Sequence, residues 1–315
     1  MPITPATGFS KLWAYARLMR WHQLAGFYLI LPSTLWGLAA AFNHSTGEQS
    51  YSSITLLIPY LNTPQFHELV YSPVTLLIIF TIGSLIMRSA GCIINDFWDI
   101  DIDPQVQRTK TRPLASGELA RNDVLWLFGG LLVVALSLVM LLPPLTLVLS
   151  VVGVAGTCLY PLAKRFIKVP QLVLGLVFSW GTIMAWSAVT NDLGHWDPWL
   201  LWLCNIIWII SYDLQYALYD EQDDKRIGIN SGALYFGKNT GRVIVALQVL
   251  LLILLGLRGW LAQAGLSFYV ILTVGAVFFA LCFLFTKGYV HRENCLTSFK
   301  KNHWFGWLIL IGIIV

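Results

Sequence analysis

The chain has 315 residues, 57% of them apolar and only 11% charged, whereas a soluble domain carries about 25% charged residues. With a mean hydropathy of +0.69, that balance excludes a soluble two-domain protein and a disordered tail. The net charge of +4 is too small for a nucleic-acid footprint, so no nucleic-acid partner is expected. The fold class implied is all-α: a polytopic protein of the lipid bilayer with little material outside it.

A spanning helix needs about 20 apolar residues. In chain order the sequence offers a segment 1–22 that precedes the first span, then spans over 23–42, 74–94, 122–141, 144–161, 169–189, 199–219, 242–261, 267–286 and 302–315. An extended loop, 43–73, separates the first two. Its apolar run 54–60 and Tyr71 suit the membrane interface. Pro143-Pro144 marks a tight hairpin between the third and fourth spans. The run at 23–42 follows Arg17 and Arg20 but is long enough to span and has no A-x-A site, so it reads as a helix rather than a cleavable leader. The whole of 1–315 reads as one transmembrane domain.

Basic residues orient the spans. Eighteen of the 20 Lys and Arg fall in 1–22 or in the connections after spans two, four, six and eight. Arg258 lies on the other side, and Arg88 lies within span two. The positive-inside rule then places residues 1–22 in the cytoplasm and 43–73 outside. Cys92, Cys158, Cys204, Cys282 and Cys295 form no C-x-x-C pair and read as buried apolar residues. The six His lack metal-ligand spacing.

Nine of the 16 acidic residues fall in two clusters at the same face. Asn95, Asp96, Asp99 and Asp103 follow span two. Their spacings of three and four share a face if the helix continues. Asp213, Tyr216, Asp220 and Asp224 end span six, where Tyr216, Asp220 and Asp224 repeat the i, i+4, i+8 spacing of Asn95, Asp99 and Asp103, and Asp223 lies beside them. Carboxylates at a helix C-terminus repel one another and the helix dipole, so a cation must compensate. Hard oxygen ligands in this number suit Mg²⁺, which commonly bridges to phosphate. Asp213 lies deep in an apolar run, where ionisable residues are functional by default. Arg108, Lys110 and Arg112 follow the first cluster, and Lys164-Arg165 follow Tyr160-Pro161. These suit an anionic ligand. Pro113, Gly117 and Gly228 mark turns beyond the motifs.

At these residues the chain resembles the UbiA-type intramembrane prenyltransferases. The first family motif, N-D-x-x-D-x-x-x-D, stands as Asn95 to Asp103 and continues through Arg108-Thr109 and Arg112 to Gly117. The second, D-x-x-Y-x-x-x-D-x-x-x-D, stands as Asp213, Tyr216, Asp220 and Asp224, followed by 227–231. The stretch 87–92, Tyr160-Pro161, Pro170-Gln171, Cys295, Phe299 and Asn302 match as well. The resemblance implies nine helices around a central cavity whose polar end faces the cytoplasm of a bacterial inner membrane. It implies Mg²⁺-dependent transfer of a polyprenyl group from its diphosphate to the carbon ortho to the hydroxyl of 4-hydroxybenzoate, in ubiquinone biosynthesis. Homogentisate and naphthoate acceptors remain alternatives. The implied metal ligands are Asn95, Asp96, Asp99, Asp103, Asp213, Asp220 and Asp224. Asp99, Asp103, Asp220 and Asp224 carry the reaction through those metals. Arg108, Arg112, Lys164 and Arg165 neutralise the diphosphate, Tyr160 or Tyr216 orients diphosphate or ring, and Arg88 or Arg20 holds the acceptor carboxylate. A cation-coupled transporter would also hold intramembrane acids, but nearer the midplane and on broken helices.

Overall fold

The computed structural model describes residues 9–44 and 63–315. Residues 1–8 and most of the expected outer loop, including 54–60, lie outside the described residues.

Helix α1 (Phe9–Leu18) lies before α2 (Ala25–His44). Thr63 and Ser72 then cap two helices whose first residue is proline, α3 (Pro64–Val70) and α4 (Pro73–Trp98). The hydroxyls accept from the Phe66 and Thr75 amides at 3.2 Å. A proline at that position forfeits no helical hydrogen bond. Helices α5 (Arg121–Val139) and α6 (Pro144–Leu159) form the hairpin expected around Pro143-Pro144, and the short α7 is Ala163–Phe166.

The expected fifth span is two helices, α8 (Gln171–Phe178) and α9 (Trp180–Thr190). They separate at Ser179, whose hydroxyl bonds back to the Gly175 carbonyl at 2.7 Å. That competition with the backbone bends helices. The sixth is longer than expected. Helix α10 (Asp197–Ile227) has 31 residues, about 46 Å at the usual rise. It outruns a hydrocarbon core of about 30 Å and carries its last turns beyond the bilayer. Gly228, at φ +77°, ends it in the left-handed conformation that glycine accepts without strain.

After α11 (Gly232–Phe236) come α12 (Thr240–Leu261), α13 (Leu266–Phe285), α14 (Arg292–Lys301) and α15 (His303–Ile314). Among the described residues, eight helical stretches are long and apolar enough to span on their own. The expected ninth is only 12 residues as α15, but Asn302 joins it to α14 with helical dihedrals.

Helix α2 packs against α4, α9, α10 and α15, and α10 packs against α8, α12 and α14. Gly37 makes the closest approach possible: a Cβ there would lie 2.1 Å from the Thr182 carbonyl oxygen. Small residues let membrane helices pack this tightly. Trp36 stacks on Trp208 at 5.3 Å and donates to the Gly306 carbonyl at 2.8 Å. Helices α5 and α13 turn apolar side chains such as Trp126, Leu266 and Leu284 away from the protein, as lipid requires. The chain is an integral, multi-pass membrane protein. Arg258 is buried in α12, with its guanidinium bidentate on Asp197 at 3.0 and 2.8 Å. All five cysteines are free.

Candidate active site

Both acidic motifs arrive at one end of the bundle. The first does not continue as a helix. The α4 helix stops at Trp98, and the Asp99 amide closes it by donating to the Asn95 carbonyl. Asp103 is brought back by a turn in which its amide donates to the Asp99 carbonyl at 2.8 Å. Pro104 supplies no amide, and the chain goes on only as a single 3-10 turn, Asp103–Gln105. Asn95 and Asp99 still meet as i, i+4 neighbours, with Asn95 Nδ2 donating to Asp99 Oδ2 at 3.1 Å. The second motif is one unbroken face of α10.

Between them lies a cleft of about 260 Å³. Asn95, Asp99, Asp103, Arg108, Arg112, Tyr160, Lys164, Asp213, Tyr216, Asp220 and Asp224 all line it. Gln171, Asp223, Asn230 and Ser231 line it too. Gln171 has a structural task that spacing could not reveal: its Oε1 accepts from the Gly232 amide at 3.1 Å, fixing the connection after α10. The Asn230 amide donates to the Lys164 carbonyl at 3.0 Å and joins that connection to the one before α8.

Four predicted residues lie outside the lining: Arg20, Arg88, Asp96 and Arg165. Arg165 donates to the Trp98 carbonyl and so holds the end of α4. Arg88 donates to the carbonyls of Met19, Arg20 and Gln23 and fastens the turn between α1 and α2. Asp96 is 1% exposed and meets two arginines.

Cations are interleaved with the acids. Lys164 pairs with Asp99, Arg108 with Asp220 at 2.8 Å, and Arg112 with Asp103 at 2.8 Å. Arg108 also lies over the Tyr216 ring at 5.5 Å. Burial pushes the Asp103 carboxyl above the usual range, although Arg112 beside it pulls the other way. Burial disfavours the Arg112 charge, but Asp96 and Asp103 outweigh it and hold the guanidinium protonated beyond its ordinary pKa.

Among the described residues, no three His, Cys, Asp or Glu side chains converge closely enough to hold a metal by themselves. One observation nonetheless fits a cation. Asp99 Oδ1 is buried without a hydrogen-bond partner, although its other oxygen is paired twice. A buried carboxylate oxygen left unpaired is costly. Two acidic faces across one cleft, rather than one tight cage, suit Mg²⁺, which retains waters and shares its shell with phosphate oxygens.

The bundle and its cleft define a membrane-embedded protein with an acid-rich, cation-laced site at one end. The chain belongs to the UbiA prenyltransferase family, whose family model matches residues 30–308. It is 38% identical over 306 residues to 4-hydroxybenzoate octaprenyltransferase of Actinobacillus pleuropneumoniae, covering 97% of this chain and 95% of that one. It is 40% identical over 299 residues to the protein of the same name from Haemophilus ducreyi, covering 95% and 98%. Solved structures share the fold. The apo form of a UbiA homolog from Aeropyrum pernix K1 aligns with a TM-score of 0.71 at 21% identity, covering 93% of this chain and 98% of that one. A UbiA homolog from Archaeoglobus fulgidus bound to GPP and Mg²⁺ aligns at 0.64 and 14% identity, covering 96% and 99%.

Proposed function

We propose that the chain transfers a polyprenyl group from polyprenyl diphosphate to the carbon ortho to the hydroxyl of 4-hydroxybenzoate, releasing diphosphate, as a step of ubiquinone biosynthesis. One observation carries this reading: two acidic motifs, interleaved with arginine and lysine, face one cleft at the end of a bilayer-spanning bundle. A polyprenyl diphosphate needs both environments at once, lipid for its chain and a polar site for its head. The names of the two curated relatives support the acceptor.

Asn95, Asp99 and Asp103 on one side, and Asp213, Asp220 and Asp224 on the other, would hold Mg²⁺. Bound there, Mg²⁺ would neutralise charge on the diphosphate oxygens. Lys164, Arg108 and Arg112 border the cleft and would stabilise the charge that builds on the same anion as it leaves. The bond between the allylic carbon and the diphosphate oxygen breaks, and its electron pair leaves with the oxygen. The ring carbon ortho to the hydroxyl then bonds to the allylic carbon, and loss of the ring proton restores aromaticity. Tyr160 and Tyr216 border the cleft and suit ring or diphosphate orientation. Arg88 is the candidate for the acceptor carboxylate; its Nε faces Gly26 at the start of α2, 3.1 Å from a Cβ built there. The excess of Lys and Arg at the site's end supports a cytoplasm-facing site in a bacterial inner membrane.

The test uses purified membranes with Mg²⁺, several prenyl diphosphates and a panel of aromatic acids, with products identified by mass. Asp99→Ala and Asp220→Ala should abolish transfer to 4-hydroxybenzoate at unchanged expression, and EDTA should stop the parent. Normal turnover by both variants, or turnover in EDTA, would refute the reading. Product from homogentisate or a naphthoate alone would reassign the acceptor.

A further inference from the structure

The structure assigns Asp96 a role distinct from the other motif acids: it is a positioning residue, not a metal ligand, and acts through Arg112 and Arg20. This assignment rests on the reading of the cleft as a metal–diphosphate site.

Three observations converge. Asp96 is buried and absent from the lining of the cleft, whereas Asn95, Asp99 and Asp103 all border it. Both of its oxygens already accept charged hydrogen bonds, from Arg20 Nη2 at 2.7 and 2.8 Å and from Arg112 Nη1 at 3.0 Å. Asp99, by contrast, keeps an unpartnered oxygen. A carboxylate shared by two guanidiniums has its charge compensated and its geometry set, with little left to offer a hard cation.

The third observation is what the pairing holds. The same Arg112 nitrogen that reaches Asp96 also reaches both oxygens of Asp103. Asp96 therefore fixes from behind the arginine that borders the cleft. On its other side Arg20 sits at φ +58°, a left-handed backbone unusual for a residue other than glycine. Such a conformation persists only where its surroundings over-determine it. Here the side chain is held by Asp96, and the carbonyl accepts from Arg88 Nη1 at 3.1 Å. Asp96 is thus the junction of three segments: the end of α4, the loop carrying Arg112, and the turn from α1 into α2.

The experiment measures two quantities on detergent-purified full-length protein: Mn²⁺ affinity by electron paramagnetic resonance, with Mn²⁺ as the spin-bearing stand-in for Mg²⁺, and kcat/KM for the prenyl diphosphate. Asp96→Asn should keep Mn²⁺ affinity within about threefold of the parent while kcat/KM falls about tenfold or more, the scale of a lost charged hydrogen bond. Because Asp96 acts in part through Arg112, Asp96→Asn added to Arg112→Lys should cost less than the product of the two single losses. Arg20→Lys leaves every carboxylate in place, but its single nitrogen cannot hold Asp96 and the Arg17 and Leu18 carbonyls at once. It should also lower kcat/KM with Mn²⁺ affinity intact, and it carries the test if Asp96→Asn does not fold. Loss of Mn²⁺ by Asp96→Asn as deep as by Asp99→Asn would overturn the assignment, as would multiplicative losses in the double variant or parental kinetics in Arg20→Lys. If Asp99→Asn itself retains Mn²⁺, the reading of the cleft fails instead.

Discussion

Arg258→Met should destabilise the bundle by about 3–5 kcal/mol, the range for removing one partner of a buried ion pair. Arg258 is 3% exposed, and its Nε and Nη2 donate to the two oxygens of Asp197 at 3.0 and 2.8 Å. The substitution keeps most of the side-chain volume but leaves the Asp197 carboxylate, itself 4% exposed, without its counter-charge. Asp197 stands in the first turn of α10, and a helix N-terminus returns only about 0.3–1 kcal/mol to an acid there. That does not offset the loss. Removing both charges is different, because a buried pair replaced together is often close to neutral. Asp197→Asn with Arg258→Met should therefore recover most of what Arg258→Met loses. The measurement is a double-mutant cycle by SDS titration of the detergent-purified protein, followed by tryptophan fluorescence. A loss below about 1 kcal/mol for Arg258→Met, or a double variant whose loss is the sum of the two singles, would refute the argument.

Gly37→Ala should cost about 1–3 kcal/mol or more by overpacking, since its Cβ would sit 2.1 Å from a backbone oxygen of α9. Gly129→Ala, with nothing within 4 Å, should be neutral or stabilising by up to about 1 kcal/mol; the same titration separates them, and equal effects would count against the packing. Asp103 gives a pH dependence. Its folded pKa is raised by burial, so its contribution to stability is present below the unfolded value, about 3.9, and is lost as pH rises through the folded value. Holding a metal needs the ionised form, so prenyl transfer runs the other way and falls on acidification. In the metal-free protein the affinity for Mg²⁺ should start to fall on acidification before an ordinary carboxylate would protonate, and an onset at the ordinary value would contradict the burial argument.

The spans could be read from sequence because bilayer thickness converts directly into length of apolar chain. The break at Ser179 could not, since it depends on one hydroxyl-to-carbonyl bond inside a continuous apolar run. The helix end at Asp99 was hidden for a related reason. Spacings of three and four fit a helix whether or not it continues, and here the chain still turns after Asp99, with the Asp103 amide on the Asp99 carbonyl. The second motif followed its spacing because α10 stays helical to Ile227, where Gly228 ends it.

Which acids border the cleft is a question of partners, and partners are not encoded in spacing. By rhythm alone Asp96, Asp99 and Asp103 are equivalent. They separate only when the chain returns. Arg20 comes from 76 residues away and Arg112 from 16 to cover Asp96, while Lys164 comes from 65 residues away to only one oxygen of Asp99. Arg88 shows the same effect in reverse. Its place in an apolar span marks it as a ligand-holding charge, and the fold adds a task that spacing does not show: two of its nitrogens serve backbone carbonyls 65 to 69 residues earlier. A sparse set of charges in a membrane protein therefore signals where a site lies. Which charges meet the ligand, and which hold the others in place, follows from the folded pairing.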